Sequence, residues 1–443
     1  MSLSRRQCIK TMLALGATAG MQSTWAGRLA AQMQAAKSRQ RLLVLWMPGG
    51  PSQMDTFDLK PGHENGGQFK EISTAVPGIK ISEHLPGIAK HMKDLSIVRS
   101  MSTKEGDHSR GTYLIRTGQR PGAPVRYPSI PAALGKELAA QAPTTTGYVS
   151  ILPNSFINPP AFSAGFLGAS REPLTVASTA NFDPSQLGQQ TPSEAELRVD
   201  NLLPSDGLDS DRIAQRKQFW EILQEGYGAS SRTGAASTHD TVYRRAMQLA
   251  ESDLVEAFDL TQEKGATRDS YGRDAFGQGC LMARRLLQRN VPVVEVSLAD
   301  RQGGLSWDTH ADNFNMVEQL SGRLDRSWSR LMDELKSEGL LENTTIVWMG
   351  EFGRTPKINP NGGRDHFPGA WTCVLGGAGI QGGSVVGKTN ESGMEVVDQP
   401  VTAPDFLATL CEAVGVDPET ENMAEDRRPI KIAEGTPIKQ ILA

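Results

Sequence analysis

Apolar residues in this chain occur either as short continuous runs or as helically spaced stripes, and the two patterns alternate. Continuous runs of strand length occupy residues 41–47, 293–298 and 344–349. Such runs are typical of parallel strands that are buried on both faces of a sheet. Residues 312–338 carry an apolar residue every three or four positions, which predicts an amphipathic helix that ends at Gly339. The alternation predicts an α/β fold with a mostly parallel sheet flanked by helices.

Shorter signals predict the remaining elements. Residues 150–210 are rich in Pro, Asn, Ser and Gly, which indicates loops, and helical spacing follows them. We therefore expect one domain at 41–443 that contains a helical and loop insertion at 150–270. The further predicted strands are 95–99, 371–375 and 384–386, and the further predicted helices are 107–117, 211–224, 241–258, 274–290 and 402–414.

The first 26 residues have the pattern of an export signal. They contain the pair Arg5-Arg6, as twin-arginine signals do, and an apolar stretch at 11–21 follows. That stretch is too short to span a bilayer core of about 30 Å. We expect a twin-arginine signal peptide at 1–26, a linker at 27–40, recognition by the twin-arginine export machinery, and a periplasmic or extracellular mature protein. The alternative is an amphipathic N-terminal helix.

Composition excludes some partners and sites. The net charge is −4, and removal of a basic signal peptide makes the mature chain more acidic. An acidic protein binds polyanions poorly, so we expect no nucleic-acid partner. The sequence has no run of 18 apolar residues, so we expect no stable membrane span in the mature form. The 4 cysteines form no Cys-x-x-Cys pair, which leaves a thiolate zinc site without support.

Carboxylate and imidazole side chains follow several of the predicted strands within a short distance. The carboxyl ends of parallel strands lie at one edge of a sheet, which is where such sheets bind ligands. Zinc accepts imidazole and carboxylate ligands together, whereas calcium, magnesium and manganese prefer oxygen. The pattern predicts a divalent metal site, with zinc as first choice and the other three open; helix caps and surface charges are the alternative. The candidate ligands are Asp55, Asp308, His310, Glu351, Asp365 and His366.

Several motifs resemble the alkaline-phosphatase and sulfatase superfamily. Gly339 and the segment 343–353 are similar to the turn and strand that lead into that superfamily's metal motif. The whole chain is also similar to a bacterial family of twin-arginine-exported proteins of uncharacterised function within it. The shared motifs are Pro-Gly-Gly-Pro-Ser at 48–52, Trp-Asp-Thr-His at 307–310, Gly-Glu-Phe-Gly-Arg-Thr-Pro at 350–356 and Gly-Arg-Asp-His at 363–366. The resemblance implies an alkaline-phosphatase-like core with one or two metal ions.

The chain departs from the superfamily at three places. At the end of the first strand, where the superfamily usually has an Asp, this chain has Pro48-Gly49-Gly50, and Asp55 is displaced. Glu351-Phe352 stands where relatives have Asp-His, and His108 stands at the position of the nucleophile. A formylglycine sulfatase is disfavoured, because no cysteine occupies that position. His108 is a candidate ligand or acid/base group, and either Ser109 or a metal-bound water is the candidate nucleophile. The candidate catalytic residues are His108, Ser109 and Arg110.

Two functions fit these observations. The first is an exported metal-dependent hydrolase of phosphate or sulfate esters, with an anionic ester or glycan as substrate. Arg110, Arg354 and Arg364 are candidates to hold the anion, with salt bridges to other side chains as the alternative. The second is an exported binding or assembly protein on the same fold that has lost turnover.

Overall fold

A computed structural model of the chain describes residues 40–141, 146–178, 197–199, 210–228, 234–299 and 304–443. The predicted signal peptide, and the predicted linker up to its last residue, lie outside the described residues. None of the described helices is both long and apolar enough to cross a membrane.

Groups of strands alternate with groups of helices along the chain. In chain order, the strands are β1 (Arg41–Trp46), β2 (Glu71–Ser73), β3 (Lys80–Ser82), β4 (Leu95–Met101), β5 (Tyr148–Ile151), β6 (Leu174–Ser178), β7 (Leu197–Arg198), β8 (Val293–Ser297), β9 (Thr344–Met349), β10 (Gly353–Arg354), β11 (His366–Phe367), β12 (Trp371–Gly377), β13 (Ser384–Val386), β14 (Lys388–Thr389), β15 (Val396–Asp398), β16 (Glu421–Met423) and β17 (Pro429–Lys431). The helices are α1 (Pro86–Lys90), α2 (His108–Thr117), α3 (Ile130–Gln141), α4 (Ser210–Gly228), α5 (Gly234–Ala250), α6 (Val255–Phe258), α7 (Gly265–Tyr271), α8 (Ala275–Gln288), α9 (Asn313–Ser337) and α10 (Ala403–Ala413).

The central sheet has the strand order β13-β4-β12-β9-β1-β8-β5-β6-β7. Strand β1 pairs in parallel with both β8 and β9, and β5 continues the parallel arrangement beyond β8. Strand β12 is antiparallel to both of its neighbours, β9 and β4, so β4 runs in the same direction as β9. The predicted α/β class with a mostly parallel sheet is confirmed. The carboxyl ends of β1, β4, β8 and β9 consequently share one edge.

The sheet is covered on both faces, which explains the continuous apolar runs. In β1, Leu43 and Leu45 belong to one core cluster, together with Trp328 of α9. Leu42 and Val44 alternate with them and belong to the second cluster, together with Phe406 of α10. Because successive side chains of a strand point to opposite faces, a strand with helices on both sides is apolar at every position.

The predicted amphipathic helix is α9, and its apolar stripe faces the core. Leu324 and Trp328 are fully buried, as the spacing predicts. In the first turn Val317 is buried, whereas Met316 is only half-buried. The described parts of residues 150–210, predicted as loops, also contain β6, which extends the central sheet beyond β5. The division of the chain into a domain with an insertion stays a prediction.

Candidate metal centre

Three imidazoles and one carboxylate meet at the carboxyl edge of the central sheet. Oδ1 of Asp308 lies 3.2 Å from Nε2 of His108, 3.0 Å from Nε2 of His310 and 3.1 Å from Nε2 of His366. The Nε2 atoms of His310 and His366 are 3.0 Å apart. We refer to these four residues as the His/Asp cluster. Three of them, His108, Asp308 and His366, form a group whose ligand atoms can hold a metal ion.

Helix α2 fixes the position of His108. The helix begins at His108, and the side chain of Asp107 caps it by accepting a hydrogen bond from the backbone N–H of Arg110 at 3.0 Å. It ends at Gly118, whose φ of 72° suits the left-handed cap conformation that glycine adopts readily. A capped helix holds its first side chain in a narrow range of directions, so His108 reaches the cluster from a rigid element.

Of the other cluster residues, Asp308 and His310 lie on one loop and His366 lies in the two-residue strand β11. His366 is in β11, which pairs with β10 so that His366 lies opposite Arg354. The loop of Asp308 packs against Gly49, where an added Cβ would lie 2.4 Å from the backbone nitrogen of Asp308. Gly49 has a φ of +105° and Gly50 a φ of +77°, and an added Cβ on Gly50 would lie 2.7 Å from the carbonyl oxygen of Phe352. Positive φ and close backbone contact explain both glycines of the loop after β1. The loop after β1 therefore shapes the site through its backbone.

Every imidazole of the cluster uses its Nδ1 to bind an oxygen outside the cluster. Nδ1 of His108 lies 2.6 Å from Oε1 of Glu351, and Nδ1 of His310 lies 2.8 Å from Oδ1 of Asp365. Nδ1 of His366 lies 2.7 Å from the carbonyl oxygen of Gly106. Because these oxygens accept hydrogen bonds, their chemistry assigns the proton of each neutral imidazole to Nδ1 and leaves the Nε2 lone pair facing the cluster. Metal-binding histidines have this arrangement.

The spacing of the cluster atoms fits a cation between them. Two ligand atoms at about 2.1 Å from one ion lie roughly 3.0 Å apart at a right angle and roughly 3.4 Å apart in a tetrahedron. The cluster distances of 3.0–3.2 Å fall in this range. Nε2 of His108 is buried and has no hydrogen-bond partner among the described residues, although Oδ1 of Asp308 lies 3.2 Å away. A cation between these atoms satisfies the lone pairs of Asp308 and of the Nε2 atoms together.

The carboxylates in and beside the cluster favour a positive charge there. Burial opposes a positive charge on His108, but the carboxylates of Asp308 and Glu351 outweigh it and raise the pKa of His108 to about 9. Burial likewise opposes the charge of Asp308, yet His108, His366 and Arg354 hold the pKa of this carboxyl well below its usual range. Without a metal ion, a proton on His108 supplies the positive charge that the carboxylates require.

Two of the predicted ligands contact the cluster through a histidine. Glu351 is 1% exposed, and its Oε1 accepts hydrogen bonds from the backbone N–H of Gly49 at 2.8 Å and from His108. Its Oε2 is buried and has no hydrogen-bond partner in the part of the chain that the structure describes. Asp365 is half exposed, and its Oδ1 also accepts a hydrogen bond from Asn359 at 3.1 Å. Both carboxylates orient imidazoles from behind, and we propose that neither contacts the ion.

The structure places Asp55 outside the cluster. Its carboxylate is fully buried and paired with Arg364, whose Nε lies 2.7 Å from Oδ2 and whose second terminal nitrogen lies 3.1 Å from Oδ1. The side chain of Asn313 also donates a hydrogen bond to Oδ2 at 2.9 Å. Each carboxylate oxygen therefore has a partner of its own.

The remaining candidates have partners of different kinds. Ser109 is half-buried, and the side chain of Asn158 donates hydrogen bonds to its carbonyl oxygen at 3.0 Å and to its Oγ at 3.1 Å. Arg110 is exposed and pairs with Glu105 at 2.8 Å. Arg354 is buried, contacts Oδ1 of Asp308 at 2.6 Å, and donates to the carbonyl oxygens of the glycine pair after β1.

Sequence reasoning missed the residues that support the cluster from outside. Gly49 and Gly106 act through backbone atoms, and Asn313 and Asn359 act through side-chain amides. Of these, only the glycine pair after β1 carried a signal, because a strand followed by Pro-Gly-Gly-Pro indicates a tight loop at the ligand edge. Isolated asparagines carry no comparable signal.

The fold is similar to several solved structures of hydrolases and a synthase. The PsFucS1 sulfatase from Pseudoalteromonas sp. has 13% identity and a TM-score of 0.35, covering 87% of this chain and 70% of that chain. A mutant of TAB5 alkaline phosphatase has 13% identity and a TM-score of 0.32, covering 80% and 95%. The lipoteichoic acid synthase LtaP from Listeria monocytogenes has 9% identity and a TM-score of 0.39, covering 86% and 73%. Similarity of this extent transfers no activity.

The sequence itself gives a family assignment. No curated protein matches it. The model of the family described as "Protein of unknown function (DUF1501)" matches residues 39–442, which include the His/Asp cluster and the whole central sheet. The chain therefore belongs to the DUF1501 family.

Proposed function

We propose that the protein binds one divalent metal ion, with zinc as first choice, at the His/Asp cluster and hydrolyses an anionic ester there. One observation carries the proposal: three imidazoles bind outside oxygens through Nδ1 while their Nε2 atoms lie 3.0–3.2 Å from one carboxylate oxygen. Three imidazoles and a carboxylate form a ligand set suited to zinc. When bound, such an ion supplies Lewis-acid stabilisation of negative charge and makes water more acidic.

The chain's own residues support hydrolysis of a phosphate or sulfate ester. Helix α2 begins at His108, which belongs to the cluster, and the positive end of a helix dipole favours an anion. Arg110 lies in the first turn of α2 and is exposed, so it can reach an anion that occupies this edge. With export through the predicted signal peptide, the protein meets its substrate outside the cytoplasm. Anionic glycans are the class of substrate that we propose there.

A second candidate function is binding or assembly without turnover. It is favoured by the start of α2, where His108 stands at the position of the superfamily nucleophile and its Nδ1 binds Glu351 at 2.6 Å. The neighbouring hydroxyl of Ser109 accepts a hydrogen bond from Asn158, which holds it at the helix start. A metal ion held by this site then serves to bind an anionic group on a partner.

Metal analysis combined with an ester panel tests both functions. We expect purified mature protein to contain about one zinc ion per chain, and His366→Ala to lose it together with hydrolysis of phosphate and sulfate esters. The matched control is His91→Ala, because His91 is a buried histidine outside the cluster that contacts Asp333 at 3.4 Å. The control should keep its metal. Absence of bound metal after zinc loading contradicts the proposal, whereas metal without turnover favours the second function.

A further inference from the structure

A second buried network lies directly beside the His/Asp cluster. Asp55, Asn313 and Arg364 are each fully buried, and Thr309 is 1% exposed. Arg364 binds the carboxylate of Asp55 with two nitrogens, at 2.7 and 3.1 Å. Asn313 donates a hydrogen bond to Asp55 at 2.9 Å and accepts one from the hydroxyl of Thr309 at 2.6 Å. We refer to these four residues as the Asp55 brace.

The brace connects the two loops that carry most of the cluster. Thr309 stands between Asp308 and His310, and Arg364 is two residues before His366. The backbone N–H of Arg364 also donates to the carbonyl oxygen of Thr309 at 2.9 Å, so the loops touch directly. One carboxylate therefore holds both loops, through Arg364 on one side and through Asn313 and Thr309 on the other.

The pairing of Arg364 with Asp55 fixes the orientation of both side chains. Arg364 also donates to the carbonyl oxygens of Thr355 and Pro356 and, at 3.0 Å, to that of Asn65. A bidentate pair fixes both planes, because two parallel hydrogen bonds allow little rotation. Burying two charges costs about as much as their attraction returns, so net stability is a weak reason for such a pair. Fixed geometry is the stronger reason where ligand atoms must meet within a fraction of an ångström.

We propose that Asp55 is a positioning residue that sets the separation of the two ligand loops and thereby the metal affinity. This inference rests on the proposed metal site. Asp55 acts through Arg364 and Asn313, and the ion is held by the cluster alone. Removing the charge of Asp55 leaves Arg364 without its counter-charge, so the loop of Asp365 and His366 loses its fixed orientation.

The test compares two buried carboxylates. Asp55→Asn is the test variant, and Asp58→Asn is the matched control. Asp58 is 2% exposed, and its side chain contacts Lys60 at 2.8 Å, Arg99 at 3.7 Å and Thr389, none of which lies in a ligand loop. Zinc affinity is measured by competition with a chelator, and the absorption bands of bound Co²⁺ report the ligand geometry. We expect Asp55→Asn to bind zinc about 10–100-fold more weakly and to shift the Co²⁺ bands at saturation. Asp58→Asn should match the wild type in both.

A milder variant covers the case in which Asp55→Asn does not fold. Thr309→Val keeps the size of the side chain and removes the hydrogen bond to Asn313, so we expect a several-fold weaker zinc affinity. The brace is overturned if Asp55→Asn or Thr309→Val folds and binds zinc with wild-type affinity and Co²⁺ bands. If the wild-type protein binds neither ion, the proposed metal site itself is overturned, which is a distinguishable result.

Discussion

Two buried glutamates differ in the group that carries the positive charge beside them. One lies in the core of the sheet, and the other lies at its ligand edge. Glu295 of β8 is 0% exposed, and its two oxygens accept hydrogen bonds from Arg116 at 2.8 Å and from Ser150 at 3.0 Å. Glu351, after β9, is 1% exposed, but among the described residues only its Oε1 has hydrogen-bond partners. The core glutamate has a permanent cation, whereas the edge glutamate has an imidazole.

The difference separates a structural pair from a binding site. Arg116 is positively charged at every relevant pH. Its Nε donates a hydrogen bond to the carbonyl oxygen of Ala161 at 2.9 Å, and its Cζ lies 3.9 Å from the centre of the Phe162 ring. His108 carries a positive charge only when a proton occupies its Nε2, and a metal ion can take the place of that proton. A carboxylate that depends on an exchangeable cation is therefore the one expected beside a metal.

The largest expected effect concerns the core pair. Glu295→Gln leaves the guanidinium of Arg116 buried without a counter-charge, which should lower the free energy of unfolding by about 3–5 kcal/mol. Urea denaturation measures this loss. Zinc affinity of the folded fraction should stay at the wild-type value, because the other hydrogen-bond partners of the pair, Ser150 and Ala161, lie outside the cluster.

The double variant Glu295→Gln/Arg116→Met is the control for this loss. It removes both charges and should recover part of the stability. A small loss in Glu295→Gln, or a loss of zinc affinity as large as that of a cluster variant, contradicts the assignment of this pair to the core alone.

The intermediate effect concerns the edge glutamate. Glu351→Gln keeps an oxygen that can accept from His108 but removes the negative charge that makes this imidazole a strong ligand. We expect zinc affinity to fall about 10–100-fold, or roughly 1.4–2.7 kcal/mol, while the free energy of unfolding of the metal-free protein changes by less than about 1.5 kcal/mol. Chelator competition and urea denaturation measure the two quantities. The contrast between the two glutamates is contradicted if Glu351→Gln destabilises the metal-free protein as strongly as Glu295→Gln.

The α/β class was predictable because strands that are buried on both faces of a sheet appear in the sequence as continuous apolar runs. Strands β1, β8 and β9 were predicted within one or two residues, since each is apolar throughout. Strand β5 (Tyr148–Ile151) was missed, because four residues beside a proline-rich stretch give too short a run. Helix α3 was missed for a related reason, since Pro131 and Gly135 interrupt its pattern.

The composition of the candidate site was easier to predict than its geometry. Strand ends and residue chemistry singled out Asp308, His310 and His366, which the structure brings together. The same rule cannot tell a ligand from a residue that orients one, because both follow a strand by a few positions. Asp55 and Glu351 illustrate this, since their hydrogen-bond partners Arg364 and His108 are remote in sequence.

The third expected effect is a pH dependence of the metal-free protein. The pKa of His108 is raised from 6.5 to about 9 by the carboxylates of Asp308 and Glu351, which outweigh burial. A raised pKa stabilises the folded state below pH 6.5, and this stability is lost as the pH rises through 9. Urea midpoints should therefore fall over this range without metal, and less steeply in Glu351→Gln. A flat profile contradicts the charge pairing of His108.

A second buried histidine provides a control of opposite sign. Burial lowers the pKa of His91 from 6.5, despite its contact with Asp333, so His91 destabilises the fold only as the pH falls below 6.5. His91→Gln should therefore alter the acid limb of the profile and leave the limb between pH 6.5 and 9 unchanged. Zinc must displace the proton of His108, so its affinity should rise over the same range in which the metal-free protein loses stability. Opposite slopes in the two measurements are expected if the proton and the ion compete for one group of ligands.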